Sequence, residues 1–152
     1  MGALNMPDRT VTARTLIKLD QRSVFDWVAD FRNVPRVLPS VIRWQPVGVG
    51  VRGVGARFDV AMRAFGLPLT GEVVLDDWDE PKSIGWHSVS GLIQQRGTWA
   101  FRAGPQGTLV VLTITYAAPA GPGSFLASRV ENTLKNRLER ALLEMRDLLE
   151  ES

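Results

Sequence analysis

The chain holds few side chains that can perform acid–base or nucleophilic chemistry. Its 152 residues include a single histidine, His87, and no cysteine. Without cysteine there is no disulfide framework, no thiolate nucleophile and no zinc–thiolate site, and one histidine is too few for the usual nitrogen-ligated metal centres. The sequence therefore predicts no metal and no cofactor, and a proton shuttle would have to use His87 or carboxylates.

The position of His87 argues against such a shuttle. It lies between Trp86 and Ser88 in an alternating segment, and because pleating sends neighbours to opposite faces, an inward Trp86 places His87 outside. A β-bulge near Gly85 would re-aim it inward. The alternation places the nearby carboxylates mainly on the outer face of the sheet or beside turns. They are Asp59, Glu72, Asp76 and Asp77. We therefore predict no catalytic residue.

Two other polar patterns have a chemical interpretation. Arg63 and Arg96 offer planar guanidinium groups that suit a ligand carboxylate at a pocket rim, but both positions are more typical of solvated sheet residues. The segment 48–53 (GVGVRG) matches G-x-G-x-x-G, yet it connects two predicted antiparallel strands and no helix follows. A phosphate loop needs that helix, so we interpret the segment as a flexible hairpin beside a pocket.

Hydrophobic periodicity predicts the elements that would position these residues. An alternating strand over 10–19 precedes a short helix with apolar residues at Val24, Trp27, Val28 and Phe31, and a second helical turn over 34–38. Gly- and Pro-containing breaks then delimit six strands, at 41–47, 56–65, 69–78, 83–89, 95–102 and 108–117. Connections this short require antiparallel neighbours.

The last predicted element is a long amphipathic helix that begins at Ser124. Its Glu131 and Lys135 are spaced for an ion pair. Its apolar stripe comprises Leu126, Val130, Leu134, Leu138, Ala141, Met145 and Leu148. Because the sheet must bury one face and no other element is long enough to cover it, we predict an α+β fold in which a curved seven-stranded antiparallel sheet wraps this helix. Residues 1–9 are expected to form a flexible tail, and 10–152 a single domain.

A pocket for a hydrophobic ligand is expected where the middle of the sheet stands away from the helix. Ser88, Gln95 and Tyr116 are the inward polar residues that could anchor a ligand. The predicted ligand-binding set is Phe58, Met62, Trp86, Ser88, Gln95, Trp99, Phe101, Ile114, Tyr116, Leu126, Val130 and Leu134. Each aromatic residue taken alone is more typical of a filled core, and it is the set of large residues facing an apolar helix that favours a pocket. The sequence leaves open whether the cavity is open or filled without ligand.

Several segments, in this order, resemble a known family. They are 24–31 (VFDWVADF), 84–91 (IGWHSVSG), 97–101 (GTWAF) and 108–116 with Pro119, followed by the amphipathic helix. They are similar to the polyketide cyclase/dehydrase and coenzyme-Q-binding branch of the START-like (SRPBCC, Bet v 1-like) superfamily. The resemblance implies a helix-grip fold with a hydrophobic cavity that opens near the short helices and the glycine-rich loop. It does not select a chemistry, because proteins of this fold include cyclases, quinone binders and lipid binders.

Composition excludes other classes of function. The 15 arginines are dispersed and the formal net charge is only +2, which does not favour nucleic-acid binding. No stretch is long and apolar enough for stable membrane insertion. We expect a cytoplasmic protein, since residues 1–9 lack the features of a signal peptide, and the oligomeric state stays open, with a homodimer as one option.

Three functions remain. The first is binding, transport or sequestration of a small hydrophobic molecule such as a lipid, quinone or polyketide. The second is an aromatase/cyclase-like enzyme, which would need a converging acid and base inside the cavity. The third is a protein-interaction or regulatory module, which would show a filled core and an exposed apolar patch. We expect the first, a noncatalytic binder.

Overall fold

The structure, a computed structural model, describes residues 8–38, 40–64, 67–91, 94–117 and 124–151, with the backbone alone at 64, 67, 124–128 and 130. The described strands are β1 Asp8–Ile17, β2 Val41–Val47, β3 Arg57–Ala64, β4 Leu67–Asp79, β5 Ser83–Gly91, β6 Gln95–Gly104 and β7 Gly107–Ala117. The described helices are α1 Gln21–Ala29, a 3₁₀ turn Phe31–Asn33, α2 Val34–Val37 and α3 Ser124–Glu151.

The described strands form one antiparallel sheet in the order β1-β7-β6-β5-β4-β3-β2. The prediction of a seven-stranded antiparallel sheet with two short helices after the first strand is thus confirmed. Strand β1 begins two residues before the predicted start. The remainder of the predicted tail, residues 1–7, lies outside the described residues. Among the described helices, none combines the length and apolar character needed to cross a bilayer.

The chain reverses after β1 because Asp20 caps α1. Its carboxylate accepts hydrogen bonds from the Ser23 amide (3.0 Å) and hydroxyl (2.7 Å), and these bonds hold the pKa of Asp20 below its ordinary value. Val24, Phe25 and Val28 then face the core. The cap therefore fixes the angle at which the short helices cross the inner face of the sheet.

Helix α3 packs along β1, the edge strand, as well as on α2. Its described buried side chains are Leu138, Ala141, Leu142, Met145 and Leu149. Leu148, which we placed in the apolar stripe, is 40% exposed. The prediction was wrong there because a period of 3.6 moves the buried stripe to Leu149 at the end of the helix.

The predicted Glu131–Lys135 pair is also replaced by a tertiary contact. Glu131 accepts a hydrogen bond from Arg9 on β1 at 2.7 Å, with both side chains about one-third exposed. Periodicity within one helix gives no information about a partner 122 residues away in the chain. The ion pair ties the described start of β1 to α3.

The sheet curls strongly, and β-bulges contribute to the curl. The register shifts between Val41 and Arg43 on β2, between Leu75 and Asp77 on β4, and between Ser88 and Ser90 on β5. Bulges bend a strand and increase its twist. As a result the rings of Trp44 on β2 and Trp86 on β5 meet edge to face with centroids 5.9 Å apart, although β3 and β4 separate their strands and a flat sheet would hold them about 14 Å apart.

One glycine makes room for a central aromatic ring. Gly97 on β6 pairs directly with Trp86 on β5, and the indole lies over the Gly97 backbone. A Cβ at position 97 would stand 2.2 Å from Cζ2 and 2.3 Å from Cη2 of Trp86. Any larger residue must therefore displace the ring.

Replacing Gly97 with alanine tests this contact. The added methyl group cannot coexist with the indole, so Gly97→Ala should lower the free energy of unfolding by about 1–3 kcal/mol, the usual range for overpacking. Urea denaturation, with a near-UV circular dichroism spectrum of the native state, measures both the stability and the environment of the indole.

Gly104→Ala is the matched control on the same strand. The nearest atom to a Cβ at position 104 is the Gly107 carbonyl oxygen at 3.8 Å, so stability should change by less than about 0.5 kcal/mol. A Gly97→Ala protein as stable as the Gly104→Ala protein, with an unchanged spectrum, would show that the indole does not lie over Gly97.

Candidate functional site

The inward face of the sheet carries the aromatic side chains that the sequence placed there. Phe58, Trp86, Trp99 and Phe101 are at most 6% exposed. Trp99 and Phe101 stack with an interplanar angle of 7°. The prediction, made from the alternation along each strand, that these side chains face inward is therefore confirmed. Together they form an aromatic surface opposite the short helices.

A small apolar cavity lies between this surface and the short helices. Its volume is about 40 Å³, enough for two or three water molecules. The helical side supplies Val28, Ala29, Phe31, Val34 and Leu38, and the rest of the lining comprises Trp44, Val51, Phe58, Leu75, Trp78, Ile84, Trp86 and Trp99. Among the described lining residues no side chain is ionisable, so the cavity favours neutral, apolar contents.

The structure divides the predicted ligand-binding set among several places. Phe58, Trp86 and Trp99 line the cavity. Phe101 lies behind it, packed edge to face on Phe25 at 5.5 Å, and so belongs to the core. These positions do not test which residues contact a ligand, and the ligand-binding role of the set stays a prediction.

Three more residues of the set lie at a different site. Met62, Ser88 and Gln95 line a second cavity of about 20 Å³ among β3, β4, β5 and β6. The Ser88 hydroxyl donates to the Gln95 carbonyl oxygen (3.1 Å) and accepts from the Gln95 amide (2.9 Å). Gln95 Nε2 approaches Met62 Sδ at 3.4 Å. The hydroxyl of Ser88 is therefore already engaged.

The remaining members of the set lie towards α3. Ile114 is buried, and Tyr116 and Leu134 are partly buried against the same core. Leu126 and Val130 lie outside the side chains that the structure describes. Of the α3 side chains described, none lines the 40 Å³ cavity. Where we expected α3 to cover the pocket, α1 and α2 supply the described helical wall.

Sequence reasoning missed that helical wall, although a signal was present. Val28 and Phe31 follow Val24 at helical spacing, which predicted an apolar helix face without saying which surface it covers. Only the direction in which the capped α1 leaves β1 brings that face over the sheet. Val51 could not have been found by periodicity, because it belongs to a glycine-rich loop.

Two buried polar atoms lack partners among the described residues. They are the indole nitrogen Nε1 of Trp86 and the hydroxyl oxygen of Tyr116. Burial, and the nearby carboxylate of Glu131, raise the pKa of Tyr116, so it remains neutral. Trp86 is only 4% exposed, and a buried donor without an acceptor costs about 1–3 kcal/mol.

His87 lies on the outer face of the sheet, as its parity predicted. Its Nδ1 is 2.6 Å from Asp76 Oδ2, with the two side chains 45% and 41% exposed. Arg63 is exposed, and Arg96 lies 3.7 Å from Asp8 on the surface. No cluster of three metal-ligating side chains occurs among the described residues. The ionisable candidates thus lie away from the cavity.

A charged network centred on Glu80 lies next to Trp78 and Val51 of the cavity lining. The Glu80 carboxylate accepts hydrogen bonds from Trp78 Nε1 (2.7 Å), Arg22 (2.6 Å) and Arg52 (3.4 Å). These donors, Trp78 first, lower the pKa of Glu80 to about 2. Arg52 also lies 3.7 Å from Asp26 on α1 and over the ring of Trp78 at 5.2 Å.

The loop 48–56 supplies both Val51 of the cavity lining and Arg52 of this network. Its Gly48, Gly53 and Gly55 have positive φ, and a Cβ at any of them would meet no atom within 4 Å. Val49 and Val54 are fully and largely exposed. Gly55 and Ala56 form backbone hydrogen bonds with Leu75 on β4, so Val51 and Arg52 hold mainly the tip of the loop, 48–54. The loop links two antiparallel strands, as expected for a hairpin and not a phosphate loop.

Comparisons of structure give the same architecture in other proteins. TTHA0849 from Thermus thermophilus is 23% identical over 93% of this chain and 97% of its own, with a TM-score of 0.78. The Zhui aromatase/cyclase from Streptomyces sp. R1128 is 14% identical over 93% and 94%, with a TM-score of 0.71. A START superfamily protein from Mycobacterium smegmatis is 18% identical over 92% and 98%, with a TM-score of 0.70. At these identities the likeness shows the fold alone.

Sequence comparison supplies the family. No curated protein matches the chain significantly. Residues 8–150, nearly the whole chain, match the family described as polyketide cyclase / dehydrase and lipid transport. The match spans the curled sheet, the short helices over the cavity and the long final helix, and the chain therefore belongs to the polyketide cyclase/dehydrase and lipid transport family.

Proposed function

We propose that this protein binds a small hydrophobic molecule between α1, α2 and the aromatic face of the sheet, as a carrier and not as an enzyme. The observation that carries the proposal is a cavity whose described lining consists wholly of apolar and aromatic side chains. Such linings, with few polar groups, are typical of ligand sites. The family description, which includes lipid transport, supports the same class of ligand.

The chemistry of the lining supports binding over catalysis. A cyclase or dehydratase moves protons and needs an acid or base within reach of the ligand. The described lining has none, and His87 is on the opposite face of the sheet. A similar fold in an aromatase/cyclase does not supply the missing group, since one fold serves many chemistries.

The cavity in this structure is too small for such a ligand, so binding requires the wall to move. Ligand sites commonly have volumes of about 300–1,000 Å³, against about 40 Å³ here. The sheet side is held by backbone ladders, and the base of the loop 48–56 is held by backbone hydrogen bonds of Gly55 and Ala56 to Leu75. The tip of the loop, 48–54, is held by Val51 and by exposed ion pairs of Arg52. We propose that the ligand enters where this loop lifts away from α1 and Trp78.

Binding should be saturable and should depend on the cavity wall. Titration of the protein with menadione, emodin and palmitate, followed by tryptophan fluorescence and by calorimetry, should give one-site binding for at least one probe. Phe31→Ala and Trp99→Phe should each weaken that binding about tenfold, because each removes apolar contact area from the ligand.

His87→Ala is the control for this titration, since His87 is on the outer face. It should leave the dissociation constant unchanged. The proposed function is contradicted if no probe saturates the folded protein, or if Phe31→Ala, Trp99→Phe and His87→Ala have the same effect.

Weakening the contacts of the loop should speed exchange without changing affinity. Arg52→Ala removes pairs with Glu80 and Asp26 that hold the loop but contact no ligand, so association and dissociation rates should both rise about two- to fivefold, the scale of exposed ion pairs. Stopped-flow fluorescence with the probe that saturates measures both rates. Higher salt should act in the same direction on the wild type.

The pH dependence of these rates follows from Glu80. Its folded-state pKa is lowered to about 2, so the pairs persist above the ordinary carboxyl pKa and are lost only as pH falls through about 2. The rates should therefore be constant between about pH 5 and 8.

Arg43→Ala is the matched control for Arg52→Ala, because Arg43 pairs with Asp59 at 2.8 Å away from the loop. Exchange rates that rise equally in Arg43→Ala and Arg52→Ala would contradict the proposed entrance.

A further inference from the structure

The unpartnered indole N–H of Trp86 has a consequence for the ligand. We propose, on the basis of the binding function above, that Trp86 donates a hydrogen bond to an oxygen acceptor of the bound molecule. The site would then select neutral, apolar molecules that carry a carbonyl or comparable acceptor oxygen over hydrocarbons of the same shape.

The first support is the state of the N–H itself. An indole nitrogen only donates, so its bond requires an acceptor. Trp86 is 4% exposed and its Nε1 has no partner among the described residues. Few buried hydrogen-bond donors in folded proteins are without a partner. By contrast, the indole of Trp78, also in the cavity wall, donates to Glu80 at 2.7 Å. Of these two indoles in one wall, that of Trp86 is the one whose N–H is available to donate a hydrogen bond to a ligand.

The second support is the way the ring is held. Gly97 lies beneath the indole and Trp44 meets it edge to face at 5.9 Å. Because neighbours on two sides fix the ring plane, the direction of the N–H is set before a ligand arrives, and a preorganised donor loses little entropy on binding.

The third support is the charge of the surroundings. The described cavity lining has no cation to pair with an anionic headgroup, and a buried, unpaired charge is strongly disfavoured. An uncharged oxygen acceptor is the group that satisfies the N–H without this penalty. Tyr116, the other unpartnered donor of the described chain, is absent from the described linings of both cavities and is not part of this inference.

The test compares two probes that differ in one acceptor. Acetylnaphthalene carries a carbonyl oxygen, and isopropenylnaphthalene has a methylene group in its place on the same skeleton. The dissociation constants of both are measured for the wild type, Trp86→Phe and Tyr116→Phe. Since the hydrocarbon is intrinsically the more hydrophobic, the relevant quantity is the change in the ratio of the two constants between proteins.

We expect the preference for the ketone, relative to the hydrocarbon, to fall about five- to tenfold in Trp86→Phe, the scale of one neutral hydrogen bond. Tyr116→Phe should retain the wild-type ratio. Should Trp86→Phe not fold, proton–nitrogen correlation spectra of the wild type decide: one of the five indole N–H signals should move downfield with the ketone and not with the hydrocarbon.

The two possible failures are distinguishable. If both probes bind but the ratio is the same in all three proteins, or no indole signal responds selectively to the ketone, the inference about Trp86 is overturned and the binding function stands. If neither probe binds the folded wild type saturably, the binding function is contradicted and the inference falls with it.

Discussion

The curl of the sheet is the constraint on which the rest of the structure depends. It brings Trp44 and Trp86 into contact across two intervening strands, with bulges that bend β2, β4 and β5 and with Gly97, which lets the indole lie against the backbone. A flat sheet would leave the short helices without a concave surface to cover. The cavity is the gap left between that surface and α1 and α2.

Charge and apolarity are separated within this architecture. The described cavity wall is apolar, whereas the ionisable groups that could do chemistry are outside it: His87 with Asp76 on the outer face, and Glu80 with its arginines beside Trp78. The Glu80 network costs little desolvation because it is exposed, and for the same reason it holds the loop weakly. A site that opens for a ligand needs a firmly packed wall, here the aromatic face of the sheet, and a weakly held one, here the loop with its exposed ion pairs.

Much of the fold followed from the sequence, and the site followed only in part. Alternation fixed which face of each strand is inward, so Phe58, Trp86 and Trp99 were placed correctly, and parity put His87 outside. Periodicity could not say which helix covers which part of the sheet, so the helical members of the predicted ligand-binding set came from α3 alone and Val28 and Phe31 were left out. Contacts distant in the chain, such as Arg9 with Glu131 and Arg52 with Glu80, leave no periodic signal, and the volume of the cavity depends on rotamers that no pattern encodes.

The most direct test of this account locates a bound molecule by intermolecular nuclear Overhauser effects in methyl-labelled protein saturated with the tightest of the three probes. The account predicts contacts from the probe to the methyl groups of Val28 and Val51 and to the ring of Trp99, and none to Val89, which is 42% exposed. Contacts to Val89 without contacts to Val28 and Val51 would place the molecule outside the cavity and contradict the central claim.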